Sequence, residues 1–209
     1  MNIDMEGLMS TSKQIKSERN DLNAAVVVGA LVVGWLLYDG IRRIAELFST
    51  AGALTVTTRV PEQEITAAIG GGVPAVVDSA TLVATDVNLV SVVCLVIAIA
   101  LRAVCLTAAA VLGVIVCRRL MRGILFDRVN TRLTFTMSMA LIAGGLVGPW
   151  FENLGLNGVF AALGGEFDGH RWLLFTDGIP LFIAAIAVGV LVIVFRRGSA
   201  LQRETEGLV

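Results

Sequence analysis

The sequence predicts an all-α integral membrane protein, a four-transmembrane-helix bundle with both termini cytoplasmic and a small extracytoplasmic cap. Three observations carry that expectation. The 209 residues are 56% hydrophobic and only 16% charged, with a mean hydropathy of +0.83, whereas soluble domains are about half apolar and a quarter charged. Four long apolar stretches alternate with charged segments, and ~20 apolar residues in a helix cross a ~30 Å hydrocarbon core. Basic residues, finally, are concentrated at Lys13, Lys16 and Arg19, at Arg118, Arg119, Arg122, Arg128 and Arg132, and at Arg196, Arg197 and Arg203. By the positive-inside rule those three segments are cytoplasmic.

Taken in order, residues 1–22 are a polar cytoplasmic segment and the first span covers 23–48. A signal peptide is the competing reading, but the apolar region is long, the leader is lengthy and no small-residue cleavage site follows Leu37, so the span reads as uncleaved. Its end, Asp39 to Phe48, keeps Ile41, Ile44, Ala45 and Phe48 on one face while Arg42 and Glu46 stand at i,i+4, which suits an interface. Residues 49–87 are the first external loop. Within it Leu54 to Val60 alternates like a strand, with Pro61 expected to stop it, and Gly70-Gly71-Gly72 marks a turn. The stretch from Ala75 to Asp86 reads equally as a strand or a short helix.

The second span, 88–117, is about 45 Å long if continuous, longer than the core it crosses. It holds all three cysteines, Cys94, Cys105 and Cys117; on one helix they cannot bridge, and packing as small apolar groups is the expectation. An inner loop, 118–132, leads to a third span, 133–151, closed by Gly148-Pro149. Ala140, Gly144 and Gly148 form a small-residue stripe that admits a close neighbour within the bundle, with homo-oligomerisation as the alternative. A second external loop, 152–171, precedes the fourth span, 172–195, with Trp172 as an interfacial anchor. The membrane domain closes near residue 198, and 199–209 form a cytoplasmic tail.

Arg102 is the sharpest chemical feature, with fifteen uncharged residues on either side. Arginines within spans are costly and usually paired or functional. Its depth matches that of Asp39 on the first helix, which makes an Arg102 to Asp39 ion pair the first expectation. Asp177 is an alternative partner, and the competing reading is that Arg102 snorkels to the outer headgroups or lines a small wet cavity beneath the external loop.

Glu166, Asp168 and His170 lie within five residues of one loop, a weak metal-ligand pattern that is more simply a solvated turn. No metal or other cofactor is expected. The sequence contains no zinc-protease helix, nucleophile elbow, phosphate loop or dinucleotide fingerprint, and its single histidine removes the commonest general base. The expectation is a protein that is not an enzyme. On the inner side, Phe126, Asp127 and Asn130 are not needed for orientation, and Leu201, Gln202 and Glu204 sit in a tail that reads equally as a continuation of the fourth helix or as a frayed terminus. Those six residues form a candidate interaction surface.

The inner loop, Arg122-Gly123-Ile124-Leu125-Phe126-Asp127-Arg128-Val129-Asn130-Thr131-Arg132-Leu133, resembles that of the YoaS-like bacterial membrane proteins, a four-span family of unknown function. The C-terminal segment is similar too, with Phe195 and Gly198 at the helix exit, a Leu201-Gln202 pair, acidic residues and a final aliphatic pair. The glycine-rich second external loop and the Gly207-Leu208-Val209 ending depart from the family pattern. The resemblance implies a bacterial inner or plasma membrane and, as partner, a small cytoplasmic helix-turn-helix regulator. It implies no catalytic residues. The resulting expectation is a membrane interaction or regulatory protein that contacts lipids and a regulator but no nucleic acid directly. The alternative is a small transporter, channel or immunity-type protein using its buried polar residues.

Overall fold

A computed structural model of the chain describes residues 5–67, 73–124, 127–165 and 178–206. It is mostly helical. Helix α1 runs Met5–Leu47, followed by strands β1, Leu54–Ala67, and β2, Val73–Ala84. Helix α2 is Leu89–Met121; α3, Arg128–Ile142, passes through a π-helical turn, Ala143–Val147, into α4, Gly148–Ala162; and α5 is Ile179–Glu206. Among the described residues four helical segments are long and apolar enough to cross a membrane: Asn23–Leu47, Leu89–Met121, Arg128–Ala162 and Ile179–Leu201.

The surfaces of these helices agree with that reading. Val27, Leu31 and Trp35 on α1 and Ile183, Ile186, Val190 and Ile193 on α5 are all exposed. In water such faces would aggregate; in a bilayer they are the solvated surface.

The third span is longer than the sequence indicates. The expected loop from 152 is helical to Ala162, and Pro149 is accommodated rather than terminating. Proline has no N–H to donate, and the π turn takes up the fault: Gly148 N donates to Ala143 O, five residues back, a local widening that leaves the rod unbroken.

The chain divides into two compact units. One comprises Met1–Leu36, Leu106–Ala140 and Ala184–Val209, the other Leu37–Cys105 and Leu141–Ile183. In the first, Gly29 of α1 lies so close to Val114 of α2 that a methyl group there would overlap its side chain. Ser138 Oγ of α3 donates to Ala185 O of α5 at 2.8 Å. Asn130, Thr134 and Ser138, spaced one turn apart, are all buried, and Thr134 Oγ1 donates back to Asn130 O at 2.8 Å. The buried stripe of α3 is therefore polar, with its hydroxyls satisfied by backbone carbonyls as an apolar surrounding demands.

The second unit contains the antiparallel hairpin and an apolar core. Strands β1 and β2 pair from Leu54 with Ala84 to Arg59 with Ser79, and again from Gln63 with Val77 to Ala67 with Val73. The register shifts between Arg59 and Gln63, where Pro61 cannot donate to the ladder. Pro61 thus bulges the strand instead of stopping it as expected. The open choice for residues 75–86 resolves to a strand; Gly70 to Gly72 lie outside the described residues. The hairpin's base, Leu54 and Ala84, packs with Leu47 of α1, Leu95 of α2, and Leu156, Val159 and Phe160 of α4. Asn88 caps α2, its Oδ1 accepting from Ser91 N at 2.8 Å, as N-cap side chains do.

A glycine seam seats α4 on α2 in this unit. A Cβ on Gly144 would lie 3.2 Å from Cys105 Cβ, on Gly148 3.8 Å from Arg102 Cβ, and on Gly155 2.5 Å from Leu95 Cγ. The small-residue stripe thus works inside the chain and extends a further two turns beyond Gly148.

Candidate functional site

The last turns of α1 carry Asp39, Arg42, Arg43 and Glu46 at three- and four-residue spacing, so their side chains meet along the helix. Arg43 Nε donates to Asp39 Oδ2 at 2.7 Å, Arg42 Nη2 to Asp39 Oδ1 at 3.3 Å, and Arg42 Nη1 to Glu46 Oε1 at 3.0 Å. Gly40, on the adjoining face, lies against Ala103 of α2.

The expected Arg102 to Asp39 pair is therefore not the one formed. Asp39 is held by two arginines of its own helix, which one turn of α-helix brings closer than a group on another helix. Arg102 Nη1 instead lies 3.9 Å from Glu152 Oε2. The physical reason is the glycine seam: Glu152 stands one turn beyond Gly148 on the face applied to α2. The sequence reading assigned Glu152 to a loop and so passed over it. Its signal was the run of small residues, Gly144, Gly148, Gly155 and Gly158, which continues at helical spacing through the Glu152 position. Asp177, the alternative partner, lies outside the described residues.

Beside these charges is a cavity of about 560 Å³. Arg42, Arg43, Glu46 and Glu152 supply both signs of charge to its lining, Ser49, Thr55, Thr57 and Thr81 supply hydroxyls, and Leu95, Ala98 and Ile99 form an apolar side. The hairpin makes the hydroxyl wall, with Thr57 Oγ1 and Thr81 Oγ1 3.0 Å apart across the strands. Such a mixture of convergent polar groups and apolar lining is the usual make-up of a small-molecule site.

The inner-loop candidates are placed differently from one another. Asn130 is fully buried: its Oδ1 accepts from Arg119 Nε at 2.6 Å and its Nδ2 donates to Ile124 O at 2.7 Å. It fastens the loop from within and is not an interaction surface. Arg119 also pairs with Asp127 at 2.5 Å, at the start of α3, where an acid is favoured by the helix dipole. Gly123, with φ of +75°, makes the left-handed turn that ends α2. Arg119, like Glu152, is a residue that reasoning from sequence missed, hidden among neighbours explained by orientation alone. Leu201 and Glu204 are exposed on α5, and Gln202 lies between them on the same helix. Phe126, and the loop residues Glu166, Asp168 and His170, lie outside the described residues. Among the described residues no three His, Cys, Asp or Glu side chains gather as a metal site would require.

Among the described residues, four helices long and apolar enough to cross a membrane, with exposed apolar faces, fit a multi-pass helical membrane protein. No protein-family model, curated protein or solved structure matches the chain.

Proposed function

We propose that this is a non-enzymatic membrane interaction protein of the bacterial cell membrane, with both termini cytoplasmic, the hairpin as an extracytoplasmic cap, and α5 extended as a docking post. The carrying observation is the continuity of α5. It runs without a break past Arg196 and Arg197 to Glu206, with Leu201 62% exposed. Paired arginines at a span's end mark a headgroup region, so the last turns stand beyond it by ~14 Å at ~1.5 Å per residue.

A consistent depth supports this reading: Arg102 to Arg118 along α2 is ~24 Å, and Ile179 to Arg196 along α5 is ~26 Å, both near the ~30 Å of a hydrocarbon core. On this placement Asp39, Arg42, Arg43, Arg102 and Glu152 form a belt at the outer surface, and the turns of α2 before Arg102 rise with α4 into the hairpin's core.

The resemblance of the inner loop and tail to YoaS-like proteins makes a small helix-turn-helix regulator the partner to test. A photo-crosslinker at position 201 in growing cells is expected to trap that regulator, and deletion of 199–209 to change transcription of the chain's own locus. Crosslinks confined to lipid and self, with unchanged transcription, would overturn the regulatory reading. The cavity supports a second reading, a small transporter, channel or immunity-type protein. Equal substrate flux in proteoliposomes with Arg102→Ala and wild type would reject it.

A further inference from the structure

We propose that the cavity bounded by Arg42, Arg43, Glu46 and Glu152 is a binding site for a zwitterionic phospholipid headgroup, a phosphate diester carrying a primary ammonium. The proposal rests on the outer-surface placement of the charged belt given above. Its volume of about 560 Å³ falls within the ~300–1,000 Å³ of small-molecule sites.

The lining selects for a ligand with both charges. A simple anion would meet Arg42 and Arg43 but also the carboxylates of Glu46 and Glu152; a simple cation would meet the reverse. An ethanolamine phosphate diester places its phosphate on the arginines and its ammonium on Glu46, so that each charge meets its opposite. Arg43 uses only Nε on Asp39, so among the described residues both of its terminal amino groups are open to a phosphate, and a guanidinium fork matches phosphate geometry. Among the described residues Glu46 uses only Oε1, on Arg42, which leaves Oε2 for an ammonium N–H. Thr55 and Thr57 add hydroxyl donors at the same wall. Leu95, Ala98 and Ile99 give the site an apolar side, and on the placement given above its charged groups stand at the headgroup level, where this diester is presented by a lipid.

The purified full chain in detergent is tested by thermal unfolding with phosphatidylethanolamine, phosphatidylcholine, phosphatidylglycerol or water-soluble glycerophosphoethanolamine. Phosphatidylethanolamine is expected to raise Tm at concentrations at least tenfold lower than the other three. Arg43→Gln is expected to weaken that response at least tenfold. Glu46→Gln, which keeps the phosphate contacts, is expected to abolish the preference over phosphatidylglycerol; Arg118→Gln leaves the response unchanged. Equal responses to all three lipids, or a preference for phosphatidylglycerol, overturn the proposal, and a full response to the soluble ester overturns its lipid part. Labelling of single cysteines along α1, in a chain carrying Cys94→Ala, Cys105→Ala and Cys117→Ala, reads the depth of the belt independently. A belt mapped away from the headgroups, with the phosphatidylethanolamine preference intact, overturns the placement and upholds the ligand.

Discussion

Arg102 Nη1 and Glu152 Oε2 lie 3.9 Å apart, a contact made across the seam where Gly148 brings α4 onto α2. Both side chains are partly exposed, at 26% and 35%. The long separation and the remaining solvent access keep the direct attraction modest, about 1 kcal/mol or less.

The pairing is checked by exchange. Arg102→Glu and Glu152→Arg are each expected to lower the amount of protein in the membrane, because each places two like charges together. The double variant is expected to recover most of the wild-type level. The corresponding exchange between Arg102 and Asp39 is expected to give no recovery, since Asp39 would leave Arg42 and Arg43 behind. Quantitative immunoblotting of membrane fractions distinguishes the two exchanges.

Asn130 makes a sharper demand. With the residue fully buried, its amide answers both the Arg119 Nε donor and the Ile124 carbonyl. Asn130→Ala removes both of these hydrogen bonds and leaves a partly buried guanidinium with one partner fewer. The expected loss is about 2–3 kcal/mol, the range for stranded polar groups with one of them charged. Thermal unfolding in detergent, with protease nicking between residues 119 and 130 as a second readout, measures it. Asp127→Asn retains the amide knot and is expected to fall well short of that loss.

Much of the helical plan was legible because a bilayer imposes length and apolarity together, and few sequences satisfy both by accident. The parts that were not legible are those settled by tertiary contact. The segment from Glu152 to Gly158 reads as a loop, with two asparagines and two glycines among seven residues; in the fold the glycines are what permits close approach to α2, and packing overrides propensity. Once that segment is helical Glu152 comes within reach of Arg102, which no reading of the isolated charges reveals. Asn130 misleads in the opposite direction: a polar residue in a basic loop looks exposed, and only the fold shows it enclosed. The β-branched pattern of Leu54 to Val60 was readable as a strand, whereas the second strand needed the first to pair with.

Ser138 provides a test of the polar stripe on α3. Its hydroxyl donates to Ala185 O at 2.8 Å, and the residue is buried. Interhelical hydrogen bonds of this kind contribute about 0.6 kcal/mol on average in a membrane. Ser138→Ala keeps the volume close to unchanged and is expected to lower stability by about that amount, read as a small shift in the unfolding midpoint in detergent. Ser138→Leu adds bulk where a Cβ on Gly189 would already lie 3.6 Å from the hydroxyl and is expected to lose considerably more. Similar losses for the two variants would remove the close contact from the explanation.

The glycine seam separates propensity from packing with a matched pair of substitutions. A Cβ on Gly34 would meet nothing within 4 Å, whereas one on Gly155 would lie 2.5 Å from Leu95 Cγ and 2.9 Å from the backbone oxygen of Ser91. Both glycines are inside helices, so intrinsic preference alone favours alanine at each by up to ~1 kcal/mol. At Gly34 that preference is unopposed, and Gly34→Ala is expected to be neutral or stabilising. At Gly155 the Ser91 carbonyl belongs to a helix that cannot yield locally, so Gly155→Ala must push α4 away from α2, at about 1–3 kcal/mol. The displacement also widens the Arg102 to Glu152 separation, three residues from Gly155. Gly155→Ala should therefore reduce the benefit of the Arg102→Glu, Glu152→Arg exchange, and Gly34→Ala should not. A Gly155→Ala variant with wild-type unfolding and full exchange recovery would show that the two helices do not meet along this seam.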